Sequence, residues 1–289
     1  LGGWSREGRK AFFWGLLLAG GGLLVLVGLR LLKGAVAARP EYQVLPRVTR
    51  LERVPAWMGP IGRAQLVRLV EGAFPGPFQV FQSLPLEVAL RRIRAQGVAR
   101  KCRAERLLPS QVRLVLEIPR PVAFFRDPSG RAHLLDAWGR LLPFPLSGVK
   151  GALPCLEGLP RDPQARKEAF RAGAAVAWEV ERSFLPALGG KFPFLAVDLS
   201  NLGYRLLADG ERAEIRIVLA GADGHRVILE WDRSPFSPFG NIPLSKKIDV
   251  ARKILARYPG FEGVLAADLR WELRWDQWLT LASGREEGR

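Results

Sequence analysis

Ser129, His133 and Asp136 fall within one short stretch, "PSGRAHLLD", and serine, histidine and aspartate are the side chains from which a nucleophile and its general base are built. Such chemistry needs the three to converge in space. Residues of one hairpin rarely do so, and the chain carries no GxSxG, HExxH or phosphate-loop motif. The only histidines are His133 and His225, which excludes a multi-histidine metal centre. Cys102 and Cys155 are too few and too far apart for a disulfide framework or a CxxC site, and the sequence leaves open whether they pair. These residues lead us to expect no catalysis, no metal, no cofactor and no small-molecule substrate.

The charge is more informative. The formal net charge is +16, almost all from arginine, which suits a phosphate backbone, anionic lipid headgroups or an acidic protein partner. The densest run is "RRIRAQGVARKCRAER", holding Arg91, Arg92, Arg94, Arg100, Lys101, Arg103 and Arg106. It reads either as the solvated face of a helix and hairpin or as a basic surface for recruitment to headgroups or an acidic partner. No helix-turn-helix, zinc or aromatic-platform signature accompanies it, so nucleic acid is not expected.

A second pattern lies near the carboxyl end. In "DLRWELRW", Leu269, Trp271, Leu273 and Trp275 alternate with Arg270, Glu272 and Arg274, which predicts a strand with one apolar and one charged face. Trp278 follows closely. The indoles either fill the core or face a partner.

The elements that must carry these residues begin with an apolar run. "AFFWGLLLAGGGLLVLVGL" has no charge, and Leu31 and Leu32 extend it. At 1.5 Å per helical residue it approaches the roughly 30 Å of a bilayer core. We expect a short tail over 1–10 and a transmembrane helix over 11–33. Ala35-Val36-Ala37 would suit signal-peptide cleavage, but the apolar core is long for a signal and Arg30 and Lys33 intervene, which favours an uncleaved anchor. Arg6, Arg9 and Lys10 on one side balance Arg30, Lys33 and Arg39 on the other, so charge does not orient the span.

Residues 42–118 read as β-α-α-β-β: an extended segment, a helix with Leu66, Leu69, Val70 and Ala73, a helix with Leu86, Ala89, Leu90 and Ile93, and two strands. This unit carries thirteen Lys/Arg against five Asp/Glu. In "LVLEIPRPVAFF", Pro119 and Pro121 end one strand and hold the backbone extended for the next, a stiff junction between domains. Residues 119–282 read as a mostly antiparallel sheet backed by helices near 164–184 and 245–258, with Phe170, Gly173, Ala177, Val180 and Phe184 sharing one face of the first and Ile248, Ala251, Leu255 and Tyr258 as the second helix's buried stripe. Hairpins are expected at Asp136-Ala137-Trp138-Gly139 and Asp223-Gly224. A disordered tail over 283–289 completes an α+β chain.

Four stretches give this organisation a family likeness. "LEIPRPVAFF" resembles the strand-E-x-x-P-x-A junction of the FtsQ/DivIB cell-division proteins, "HLLDAWGRLLPF" their D-x-x-G hairpin, "LPCLEGLP" their LP-x-l-x-G turn, and "AADLRW" their late DLR-aromatic strand. Ile118 stands where that family usually has arginine, and the loop "SPFSPFG" is longer than usual.

The resemblance implies a single-pass protein of the cell inner (cytoplasmic) membrane at the division septum. Its amino terminus would be cytoplasmic, and a POTRA domain over 42–118 and a β-domain over 119–282 would lie outside. It implies a non-enzymatic scaffold that binds FtsB-like and FtsL-like single-pass partners and helps to recruit and regulate septal peptidoglycan synthesis. An edge strand carrying Leu269, Arg270, Trp271, Leu273, Arg274 and Trp275, with Trp278 beside it, would accept the FtsB-like strand. The basic residues of 91–106 would serve recruitment. The alternative is a POTRA scaffold of another envelope assembly, such as protein secretion or outer-membrane protein insertion.

Overall fold

The computed structural model describes residues 6–37, 39–45, 50–52, 54–189, 192–204, 206, 212–273 and 275–282. The expected tail over 283–289 and the first five residues of the amino-terminal tail lie outside that set. The fold is α+β. It opens with helix α1 (Arg6–Ala37), whose apolar part Phe13–Val36 is 24 residues long, holds an 18-residue window of mean hydropathy 2.1 and has no residue buried against the protein. That length and composition are enough to span a membrane.

The chain then separates into two units. The first comprises Leu1–Arg53, Leu69–Ile93 and Lys101–Leu116; the second comprises Val54–Arg68, Arg94–Arg100 and Glu117–Arg289. Their elements begin with β1 (Gln43–Val44), β2 (Arg50–Glu52), α2 (Pro60–Ala73, shared at Arg68), β3 (Phe78–Gln79), α3 (Leu84–Ala95), β4 (Lys101–Leu107) and β5 (Gln111–Glu117).

In the first unit β1 pairs antiparallel with β3, and a three-stranded sheet has the order β2-β5-β4 with β2 parallel to β5. A parallel neighbour needs a long crossover, here the helical stretch between β2 and β5. Apolar residues at helical spacing (Leu86, Ala89, Ile93) and at alternate strand positions (Val112, Leu114, Leu116) meet in its core. Cys102 joins them, its Sγ donating to Leu90 O at 3.4 Å, and no disulfide links it to Cys155.

The second unit is built on one nine-stranded sheet. Its strands are β6 (Pro121–Arg126), β7 (Ala132–Asp136), β8 (Leu141–Leu142), β9 (Cys155–Glu157), β10 (Phe194–Asp198), β11 (Ile215–Ala220), β12 (Arg226–Asp232), β13 (Val264–Asp268) and β14 (Leu279–Leu281), in the order β14-β13-β12-β11-β10-β9-β6-β7-β8. Most neighbours are antiparallel; β9 runs parallel to β6 and β10, and β12 to β13. Two of the parallel pairs are joined through helices. Helix α4 (Pro163–Glu179) continues through a π turn at Val180–Phe184 into α5 (Leu185–Ala187), and α6 (Leu244–Arg257) bridges β12 and β13.

Both crossovers pack on one face of the sheet, where Phe170, Val176, Val180 and Phe184 meet Val197, Ile217, Leu229, Trp231 and Ile254. Asp162 caps α4, accepting from Ala165 N at 2.7 Å. The stripe expected on α4 is buried, and so is that expected on α6, Ala251 fully and Ile248, Leu255 and Tyr258 partly against the core; the buried face of α6 extends to Lys247, Val250 and Ile254. An ion pair, Lys247 Nζ to Asp232 Oδ2 at 3.0 Å, allows a lysine that also lies 4.6 Å from the Trp231 ring to be buried.

The segment before α2 is docked within this second unit. Gly59 N–H donates to Gly148 O at 2.8 Å, and a Cβ on Gly62 would fall 2.6 Å from that same oxygen, so the two backbones touch only because both residues lack side chains.

Candidate functional site

The hairpin that carries Ser129, His133 and Asp136 uses its polar groups to make its own turns. Asp127 accepts from Ser129 Oγ at 2.6 Å and from the N–H groups of Ser129 and Arg131, and its Oδ2 meets His133 Nε2 at 3.0 Å. Those bonds, Ser129 and His133 foremost, hold the Asp127 carboxyl far below its ordinary value. Asp136 is buried in the next turn, where Oδ1 accepts from Trp138 N and Arg140 N, both at 2.9 Å. Serine and histidine therefore each address Asp127, not one another, and Asp136 is spent on a different turn. That arrangement is a turn cap, not a proton relay.

The carboxyl-terminal residues differ from the strand expected of "DLRWELRW". β13 stops at Asp268, Leu269 N–H makes a last bond to Glu230 O at 3.1 Å, and the chain turns away. The turn has a local cause: Asp268 accepts from Arg270 N at 2.9 Å and from the Arg270 guanidinium at 2.9 and 2.7 Å, folding residue 270 back on 268. β13 is moreover an interior strand, with β12 on one flank and β14 on the other. Leu269 is buried, and Trp275 is half-buried against the core. The expected edge at 268–275 is corrected to β14, which closes the sheet; Arg274 lies outside the described residues.

Around β14 the remaining predicted residues do come together. A single 3-10 turn, Trp275–Trp278, leads into the strand and stacks Trp278 on Trp271, with ring centroids 5.9 Å apart and planes 18° from parallel. Trp271 is 44% exposed, Trp278 46% and Leu273 86%, an apolar group on a strongly charged protein. Ala282 N–H turns inward to Gly263 O at 2.9 Å, so strand alternation turns the N–H and C=O of Leu281 outward. Among the described residues no strand covers that flank. Beside the indoles, a concavity of about 410 Å³ is lined by Asp232, Arg233, Phe239, Ile242, Arg270 and Trp271, among others. Asp232 fixes its floor, accepting from Ile242 N at 2.6 Å as well as from Lys247.

A band of charge on the open face of the sheet holds the strands behind β14 in register. Asp198 accepts from Arg212 at 3.1 Å and from Arg216, and Arg216 reaches Glu230 at 3.7 Å. Burial works to raise the Asp198 carboxyl, but the bonds from Arg216 and Ser200 outweigh it and hold it below its ordinary value. Glu230 moves the other way, raised by burial despite accepting from Ala213 N at 2.8 Å.

The basic run of 91–106 is divided between the two units. Arg91 and Arg92 lie on the exposed side of α3 in the first unit, with Arg92 donating to Ala73 O at 3.4 Å. Lys101 and Arg103 point to one face of β4 and Arg106 to the other, whereas Arg94 and Arg100 belong to the second unit. The sequence reading missed Leu279, Thr280 and Leu281, whose signal is the short apolar alternation with a β-branched centre in "WLTLAS".

Compared with models of protein families and with curated proteins, the chain matches none.

Proposed function

We propose that this protein is a membrane-anchored, non-enzymatic scaffold of the FtsQ/DivIB kind. It holds a strand of an FtsB-like partner on β14, with an FtsL-like companion, and serves septal cell-wall synthesis at the division site of the inner membrane. The observation that carries the reading is the outward flank of β14 beside the stacked Trp271 and Trp278. An open row of backbone donors and acceptors binds an extended segment, and neighbouring exposed indoles supply specificity. Further support comes from helix α1, which can anchor the chain, and from the β2-β5-β4 sheet with its two helices, an order that suits a POTRA domain used for recruitment through Arg91, Arg92, Lys101, Arg103 and Arg106. The four sequence stretches that resemble the family point the same way.

The test is co-purification of the full-length protein with two small single-pass coiled-coil proteins of the division machinery, repeated with Leu281→Pro. Proline at this outward position removes one donor from the free flank and no inward bond, so the sheet should persist. Recovery of both partners should drop at least about tenfold, as expected when a strand-addition contact is lost. Undiminished recovery with a folded variant would remove the docking mode. Depletion that leaves septa intact but impairs outer-membrane protein insertion would move the protein to another envelope assembly.

A further inference from the structure

A second surface lies at the opposite end of the nine-stranded sheet and does not depend on β14. The turn between β7 and β8 presents Trp138, 48% exposed, and Leu141, 53% exposed, beside it. The Arg100 guanidinium lies 3.7 Å from the centre of the Trp138 ring, and that of Arg140 5.5 Å from the same ring. All four residues belong to the second unit.

The turn is rigid. Gly139 has φ +73°, and a Cβ there would lie 2.6 Å from Arg171 N, so the turn is wedged against α4. Asp136 ties both sides of it through backbone bonds, and Arg100 is fixed by its own N–H to Glu117 O at 2.8 Å. The hairpin's acidic group, Asp136, is buried inside; Arg140 meets it through Nε at 3.7 Å from Oδ2 and still keeps 59% of its side chain exposed, leaving its outer N–H groups to solvent.

We infer that this turn is a docking surface for an acidic segment of a partner protein, with Arg100 and Arg140 each taking a carboxylate and Trp138 and Leu141 taking an aliphatic side chain between them. A guanidinium packed on an indole is held in place and keeps N–H edges for a planar anion, so little side-chain entropy remains to be lost on binding. The charge favours an acidic partner in a chain of net charge +16. Two cations beside one ring suit a discrete pair of carboxylates; lipid surfaces are read by larger clusters of about four to eight flexible basic residues.

The experiment uses the full-length protein in nanodiscs, with the Leu281→Pro variant as background so that β14 does not contribute. The probes are a short labelled peptide alternating glutamate with leucine, the same peptide with glutamine for glutamate, and phosphatidylcholine vesicles with and without phosphatidylglycerol. The glutamate peptide should bind roughly tenfold tighter than the glutamine peptide. Arg100→Gln with Arg140→Gln should erase that preference, whereas the charge-matched pair Lys167→Gln with Lys253→Gln should keep it. The proposal is overturned if the two pairs behave alike, or if the arginine pair affects only binding to phosphatidylglycerol vesicles. Trp138→Leu, which leaves both cations, should weaken the glutamate peptide about threefold through loss of the stacked platform.

Discussion

The two ends of the nine-stranded sheet solve the same problem in opposite ways. Each is a very short strand, β8 with two residues and β14 with three, with one flank that no strand among the described residues covers. At β8 the turn beside the edge is locked by Asp136 and Gly139 and bordered by Arg100 and Arg140, the cationic guarding that discourages pairing between strands. At β14 the border is apolar, with two stacked indoles and the exposed Leu273. Length alone does not decide which edge receives a strand. On the proposed function the chemistry beside it does, with side-chain recognition at the guarded edge and backbone recognition at the open one.

The comparison breaks most sharply at Gly139. Gly139→Val places a branched side chain at positive φ and against the backbone of α4, and should cost about 4 kcal/mol in denaturant unfolding. Should it prove neutral, the locked-edge description fails. Lys247→Ala comes next, at about 3 kcal/mol, because it strands the buried Asp232 carboxylate beneath the concavity next to Trp271. Near the open edge the balance reverses. Trp271→Ala with Trp278→Ala should change unfolding by less than about 1.5 kcal/mol yet cost about 2 kcal/mol or more in affinity for the strand partner, measured by titration.

The smallest effect sharpens the account of β14's support. His225 Nε2 meets Val264 O at 2.6 Å and its Nδ1 meets Asp223, and these two contacts, Asp223 first, raise its pKa above the ordinary 6.5. A group whose folded pKa is raised stabilises fully below its unfolded pKa and loses that contribution as pH rises through the folded value. The melting-temperature difference between the parent and His225→Gln should therefore be largest near about pH 6 and shrink towards about pH 9. A difference that grew with pH would mean that His225 is held neutral.

Much of the fold was legible because local chemistry and tertiary structure agree. Asp223-Gly224 and Asp136-Ala137-Trp138-Gly139 turn where turn residues demand it, and the spacing of Phe170, Gly173, Ala177, Val180 and Phe184 gives the buried face of α4. The failures have physical causes that hydropathy does not carry. Lys247 joins the buried face of α6, where hydropathy would not place a lysine, because a distant aspartate neutralises it. "DLRWELRW" alternates like a strand, but Asp268 captures Arg270 and bends the chain, so Trp271 and Trp278 meet by stacking across a turn, not by strand spacing. Arg100 belongs to a patch with Trp138 that no one-dimensional run of charge could reveal.

The order of strands also has a mechanical meaning. The unit's first strand, β6, and β14 are separated by β9, β10, β11, β12 and β13, so tension between β6 and a polypeptide held at β14, as proposed, would be carried crosswise through successive ladders. Pulled in that direction, hydrogen bonds break in succession like a zip, and the shortest ladder goes first, which is the single Phe124–Cys155 pair between β6 and β9. Under strain β6 would part from the sheet while β14 and its neighbours stayed together.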